Sequence, residues 1–119
     1  MLVSASDPVA AALGSALDGL ALRQRVAADN IANIDTPGFT AATLDFESSL
    51  RSALADGEMT EGDVLPTTGL SSAPAGANGN NVDLATETMT AMQSVFQYQL
   101  LTRSVGDRYS LVTTAIGGM

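Results

Sequence analysis

Two stretches at opposite ends of this chain repeat apolar or small residues alternately four and three positions apart. The first passes through Leu13, Leu17, Leu20, Gln24, Ala27, Ile31 and Ile34. The second passes through Leu84, Thr88, Ala91, Val95, Tyr98, Thr102, Val105, Tyr109, Val112 and Ile116. Such spacing keeps one seam of an α-helix turned toward a partner helix, so it calls for helix-on-helix packing. It predicts helices over 8–34 and 83–116, about 40 and 50 Å long at ~1.5 Å per residue. The expected fold is all-α, a single domain over residues 1–119 whose two long terminal helices pack as a coiled-coil-like pair. Aromatic residues make up only 4% of the chain, which leaves Ala, Leu, Val and Met to do the packing at close range.

The ends of both helices carry local signals. Asp7 can accept from the first free N–H groups, and Pro8 at the first helical position gives up nothing. At the other end Thr36 precedes a proline and is pushed out of the α region, while Pro37-Gly38 supplies the central pair of a type II turn. Gly14 and Gly19, among Ala10, Ala12, Ala16 and Ala21, leave a smooth surface for another helix. For the C-terminal helix Asp83 is the expected N-cap, Glu87 adds negative charge near the positive end of the dipole, and Gly117-Gly118 is the stop. A second apolar row, Met89, Met92, Phe96 and Leu100, is more than one partner helix can cover, so contact on two sides is expected.

Between the helices, residues 35–54 read as a turn, an extended segment from Phe39 to Leu44, and a short helix capped by Asp45 with Phe46, Leu50 and Leu54 on one face. Residues 55–82 are acidic and then rich in Gly and Ser, with too few apolar groups to offset the ordering entropy; they are expected to form a flexible loop. Asp56, Glu58, Glu61 and Asp63 lack the order of a calcium loop and read as solvated surface. Asn30 and Asn33 share a helical face although asparagine is a mediocre helix former. Propensity favours a frayed end and C-cap; the alternative is amide hydrogen bonding to a neighbouring chain.

A net charge of -8, with five Arg and no Lys, excludes phosphate-neutralising nucleic-acid binding. The chain has neither Cys nor His, so no disulfide or thiol chemistry is expected, and the usual bases and soft metal ligands are missing. No catalytic residue, cofactor or metal is assigned. No apolar run approaches the ~18 residues of a membrane span and no basic segment opens the chain, so neither membrane insertion nor a cleaved leader is expected.

The run Asn30-Ile31-Ala32-Asn33 followed by Asp35-Thr36-Pro37-Gly38-Phe39 resembles the N-terminal signature of bacterial flagellar rod, hook and hook-associated axial proteins. Arg23-Gln24-Arg25, Leu44-Asp45-Phe46-Glu47, and Asn80-Asn81-Val82-Asp83-Leu84 with Glu87-Thr88-Met89 resemble the short members of the proximal rod, over roughly residues 9–54 and 79–116. The resemblance implies a structural subunit whose terminal helices line a hollow shaft. Asn30, Asn33, Asp35, Thr36, Pro37, Gly38, Phe39, Asn81, Val82, Asp83 and Glu87 would form a subunit-interface and turn motif, with Leu13, Leu17, Leu20, Ile31, Ile34, Val95, Tyr98, Val105, Tyr109, Val112 and Ile116 as the packing seam. It also implies the chain itself, other rod proteins, a ring-to-rod adaptor, a membrane ring protein and the flagellar type III export apparatus as partners. The implied location is the basal-body rod within the periplasm. The acidic loop reads first as a solubilising surface; the functional alternative is that Arg23, Arg25, Arg103 and Arg108 of adjacent subunits pair with acids and set register. The rivals are a carboxylate-pair glycosidase, which needs a cleft and sugar platforms, a second type of short rod protein, and a helical adaptor or secretion chaperone, which forms a closed dimer.

Overall fold

The computed structural model describes residues 8–57 and 62–117. Its elements in chain order are α1 (Pro8–Ala32), β1 (Ala42–Asp45), α2 (Glu47–Ala55), β2 (Thr67–Leu70) and α3 (Leu84–Gly117). Asp7, Glu58, Glu61 and Gly118 lie outside the described residues, as do the side chains of Arg108, Tyr109, Val112 and Ile116. The molecule measures 67 × 26 × 16 Å with a radius of gyration of 18.0 Å. A compact chain of this length would have about 13.5 Å, so this one is a rod.

The long axis is set by α1 and α3, which pack against each other. Asn80, just before α3, donates to the carbonyls of Asn33 and Thr36, just after α1. The end of one helix therefore adjoins the start of the other, and their contact requires an antiparallel pair. The period of the seam is as the spacing demands, but its phase on α3 is not. The covered side of α3 is Glu87, Thr90, Ala91, Ser94 and Leu101, with Ser94 only 1% exposed, while Leu84, Val95, Met89, Met92, Phe96 and Leu100 face outward. Small side chains let the two backbones come close, and the Ser94 hydroxyl satisfies itself on Thr90 O at 2.8 Å. Neither apolar row takes the inward face; α1 meets the side of α3 whose centre carries the small Ala91 and Ser94. On α1 the buried stripe is Ala11, Ser15, Gly19, Leu20, Ala27 and Asn30; Leu13, Leu17, Ile31 and Ile34 are half-buried.

The all-α expectation is corrected by a two-stranded antiparallel sheet that pairs Ala42 with Leu70 and Asp45 with Thr67. Within 55–82, expected to be a flexible loop, residues 58–61 lie outside the described residues, while Thr67–Leu70 forms β2 and the segment after it is held by hydrogen bonds that a count of apolar residues does not register. α1 stops at Ala32 and not at 34: the Asn33 N–H is shared between Asp29 O and Asn30 O, and the Ile34 N–H reaches only Ile31 O, tightening the last turn. Ile34 thus lies in the turn and not on the seam. α2 is capped from one residue upstream of its N-cap, Phe46: the Asp45 carboxylate accepts from the Ser48 N–H at 3.1 Å and the Ser48 hydroxyl at 2.6 Å. Its inward face is Phe46, Leu50 and Ala53, with Leu54 exposed in place of the predicted contact. Ala53 and Ala11 anchor a small cluster with Ala12, Leu50 and Val64.

Gly19 faces Phe46 of the neighbouring segment and not another long helix. A Cβ built on it would lie 2.5 Å from Cδ1 and 2.7 Å from Cδ2 of the Phe46 ring, which is itself buried. Gly19→Ala should therefore destabilise the fold although it improves helix propensity by about 1 kcal/mol, because overpacking costs about 1–3 kcal/mol. Urea unfolding followed by circular dichroism is expected to show a net loss of roughly 1 kcal/mol, recovered when Phe46→Leu is added. A stabilised single mutant would contradict this contact.

Candidate assembly site

The inner edge of β1 is closed by side chains of α1. Pairing with β2 uses Thr43 and Asp45, and Ala41 O accepts from the Ser71 N–H, so Ala42 and Leu44 turn their backbone groups the other way. The Asn30 amide meets Ala42 on both groups, donating to its carbonyl and accepting from its N–H, each at 2.9 Å. Arg23 donates to the Leu44 carbonyl at 2.8 Å. A helix presenting an amide and a guanidinium two turns apart thus replaces a third strand. At 1% exposure, Asn30 has both halves of its amide paired, as burial requires.

A second set of amides ties the turn after α1 to the approach to α3. Thr36–Phe39 forms the expected turn, with the Phe39 N–H on Thr36 O at 3.2 Å and Gly38 at φ +74°. Asn33 donates to Asp29 O and accepts from the Thr36 hydroxyl, finishing the helix locally. Asn80 is buried, donates to both Asn33 O and Thr36 O at 2.8 Å, and accepts from the Val82 N–H. Asn81 accepts from the Ala41 N–H at 2.6 Å and donates to Ser71 O and Ala73 O. Main-chain bonds join the same segments, from Gly38 N–H to Asn78 O at 2.9 Å and from Asn81 N–H to Phe39 O at 3.3 Å. Asp83 then starts α3, accepting from the Ala85 N–H and the Thr86 hydroxyl, with Glu87 in the first turn.

Arg23 also grips both carboxylate oxygens of Glu47, at 2.6 and 2.8 Å, and lies 4.8 Å over the Phe46 ring. Its hydrogen bonds hold the Glu47 carboxyl below the usual glutamate range, and the Ser48 hydroxyl does the same for Asp45. The alternative in which Arg23 pairs with an acid of a neighbouring subunit is therefore corrected: its fork is occupied within the chain. Asn30 is corrected in the same way, since its amide is neither a C-cap nor free for another chain.

Asp35, Thr36, Pro37, Gly38 and Asp83 are exposed, and Phe39, Asn33, Asn81, Val82 and Glu87 are half-buried beside them. On α3 exposed apolar groups gather on the outer face near its start and recur farther along the helix. Met92 is 68% and Phe96 61% exposed, with Leu84, Ala85 and Met89 lining the same shallow groove, and Val95, Tyr98, Leu100, Val105 and Leu111 extending the exposed surface along the helix.

The model of the flagella basal body rod protein family matches residues 12–40, the stretch that holds Arg23, Asn30, Asn33 and the Pro-Gly turn. Flagellar basal body rod protein FlgB of Borreliella burgdorferi is 35% identical over 106 residues, covering 72% of this chain and 78% of that protein. FlgB of Salmonella typhimurium is 34% identical, covering 71% of this chain and 75% of the relative, and FlgB of Bacillus subtilis is 29% identical, covering 89% and 91%. The chain belongs to the flagellar basal body rod proteins. In this rod protein the motif asparagines are bonded within the subunit's own fold, and the rim of the turn and the outer face of α3 are left exposed.

Sequence reading missed Asn80 as a lock residue and Glu47 as the partner of Arg23. The signal for both was present: a polar pair before a capped helix, and an acid two residues past the strand. Removing the Asn30 amide should cost about 2–4 kcal/mol, because Asn30→Ala leaves two β1 backbone groups without their partners; Asn80→Ala should cost about 1–3 kcal/mol. Urea unfolding checks both. Because the folded-state Glu47 pKa is lowered, the stability it confers is full above the unfolded pKa of about 4.3 and is lost as pH falls through the folded value. The urea midpoint should fall on acidification through that window, and Glu47→Gln should flatten the decline while costing no more than about 1 kcal/mol at neutral pH, the pair being half-exposed.

Proposed function

We propose that this chain is a structural subunit of the proximal rod of the bacterial flagellar basal body, adding with its own copies and other rod proteins into a hollow, torque-transmitting shaft. The observation that carries the reading is the outer face of α3, where Leu84, Met89, Met92, Val95, Phe96, Leu100 and Leu111 are exposed along a helix already packed on its other side by α1. Contiguous exposed apolar surface of this kind marks a contact surface. Head-to-tail contacts that do not close produce open helices, which is how a thin subunit builds a shaft. An elongated subunit 67 Å long suits that role better than an enzyme cleft or a closed chaperone dimer.

The finer parts of the reading rest on family resemblance: the ring-to-rod adaptor and the membrane ring protein as neighbours at one end, passage through the flagellar type III export apparatus, and a position in the periplasmic part of the rod. The apolar load on α3 also supports a subunit whose terminal helices finish folding only among neighbours, because one partner helix leaves Met89, Met92 and Phe96 exposed.

The outward row gives a cleaner test than the turn, since Asn33 and Phe39 also hold the subunit's own fold. Met92→Glu with Phe96→Glu should leave urea stability within about 0.5 kcal/mol, as exposed positions do. The same variant should fail to restore swimming in a strain lacking the subunit and be missing from isolated basal bodies. A motile strain with the variant in its rods would overturn the assembly role of this face.

A further inference from the structure

Asn78 is followed by Gly79, and both are exposed to solvent in the loop that delivers Asn80 and Asn81 to the lock. An asparagine side chain with glycine after it is open to attack by the next main-chain nitrogen, because glycine has no side chain to shield that approach. In the folded chain three hydrogen bonds oppose it. The Gly79 N–H donates to Gly76 O at 2.9 Å, Asn78 Oδ1 accepts from the Asn80 N–H at 3.1 Å, and Asn78 O accepts from the Gly38 N–H at 2.9 Å. The nucleophile and the group it would attack are both held in other bonds.

We propose that Asn78-Gly79 is a deamidation site that the asparagine lock keeps closed, so that a chain left with this loop open is converted irreversibly, in its isoaspartate fraction, into one that cannot lock again. In the reaction the Gly79 nitrogen bonds to Asn78 Cγ, the Cγ–Nδ2 bond breaks, and ammonia leaves with the proton given up by the Gly79 nitrogen. Water then opens the resulting succinimide at one of its two carbonyls, giving aspartate or isoaspartate. No oxidant or reductant takes part. The isoaspartate product inserts one C–C bond, about 1.5 Å, into the main chain. It also adds a carboxylate to a chain whose net charge is already -8. In isoaspartate the carbonyl that Gly38 held becomes a free carboxylate and the chain runs on to Gly79 through Cβ and Cγ, so that anchor and the Asn80 amide held by Asn33 and Thr36 lose the spacing that lets both be met at once.

The geometry also explains why so reactive a pair sits here. Gly79 has φ +78°, and a Cβ on it would lie 3.3 Å from the Gly38 Cα. Only glycine fits that backbone comfortably, so the turn that builds the lock also carries its hazard. The inference stands on the fold alone and is independent of the assembly role.

The test is to hold the full chain in mildly alkaline buffer, with and without urea, and to follow amide loss and isoaspartate at position 78 by peptide mapping. The native chain should react at least about tenfold more slowly than the unfolded one, because reaction proceeds only from the locally opened fraction. Asn80→Ala, which removes the ties to Asn33 and Thr36, should bring the native rate toward the urea rate. Chain aged in urea and then returned to buffer should melt at a lower temperature than fresh chain refolded in the same way. Equal rates with and without urea, or an aged chain rich in isoaspartate that melts like fresh chain, would overturn the proposal; both readings use the unaltered protein and do not depend on the variant folding.

Discussion

The fold depends on amide side chains taking the place of backbone partners. A small chain with few aromatic residues has little apolar surface with which to press its middle segment onto its helices. Asn30 therefore pairs with both groups of Ala42, and Asn80 and Asn81 reach carbonyls and an N–H on three other segments. An amide does this better than a carboxylate or an ammonium, because it donates and accepts without bringing a charge out of water. Each such bond contributes about 1 kcal/mol net, but each removal exposes the larger cost of an unpaired buried group. Among described residues no buried side-chain N or O atom is left without a partner.

Arg23 extends the same principle at the edge of the lock. It caps the Leu44 carbonyl, pairs with Glu47 and stacks on Phe46, which in turn fills the space left by Gly19. One side chain thus joins α1, β1 and the start of α2. The ion pair alone is partly exposed and is worth little; its value lies in orienting a guanidinium that also meets a backbone carbonyl and a ring.

Periodicity made the two long helices legible, and turn chemistry made the Thr36–Phe39 turn and the Asp83 cap legible, because those signals are local. The phase of α3 was not. Leu84 and Val95 on one row and Met89, Met92 and Phe96 on the other all face outward, and α1 meets instead the side of Ala91 and Ser94, whose small side chains permit the backbone approach, a property of the pair and not of either helix. The strand at Thr67–Leu70 was missed for a related reason. Its order comes from pairing with β1 and from Asn81 across the chain, and composition counts only apolar burial. Asn30 was singled out correctly as unusual in a helix but given the wrong partner, since Ala42 is twelve residues on and cannot be inferred from helical neighbours.

In the proposed assembly the polar lock and the apolar row divide the labour between folding and contact with neighbours. Hydrogen bonds in the lock are directional and are met within the chain, so they fix the angle at which α3 leaves the turn. The apolar row is non-directional and is set on the far side of that same helix, so its aim is inherited from the lock. A subunit that closed its apolar surfaces internally would be more stable alone and would have nothing to add to a neighbour. A subunit without the lock would keep its adhesive face but lose the angle at which that face is offered, and contacts repeated along a shaft multiply any error in angle. In the proposed assembly the asparagines therefore act through geometry, and Met92 and Phe96 through contact.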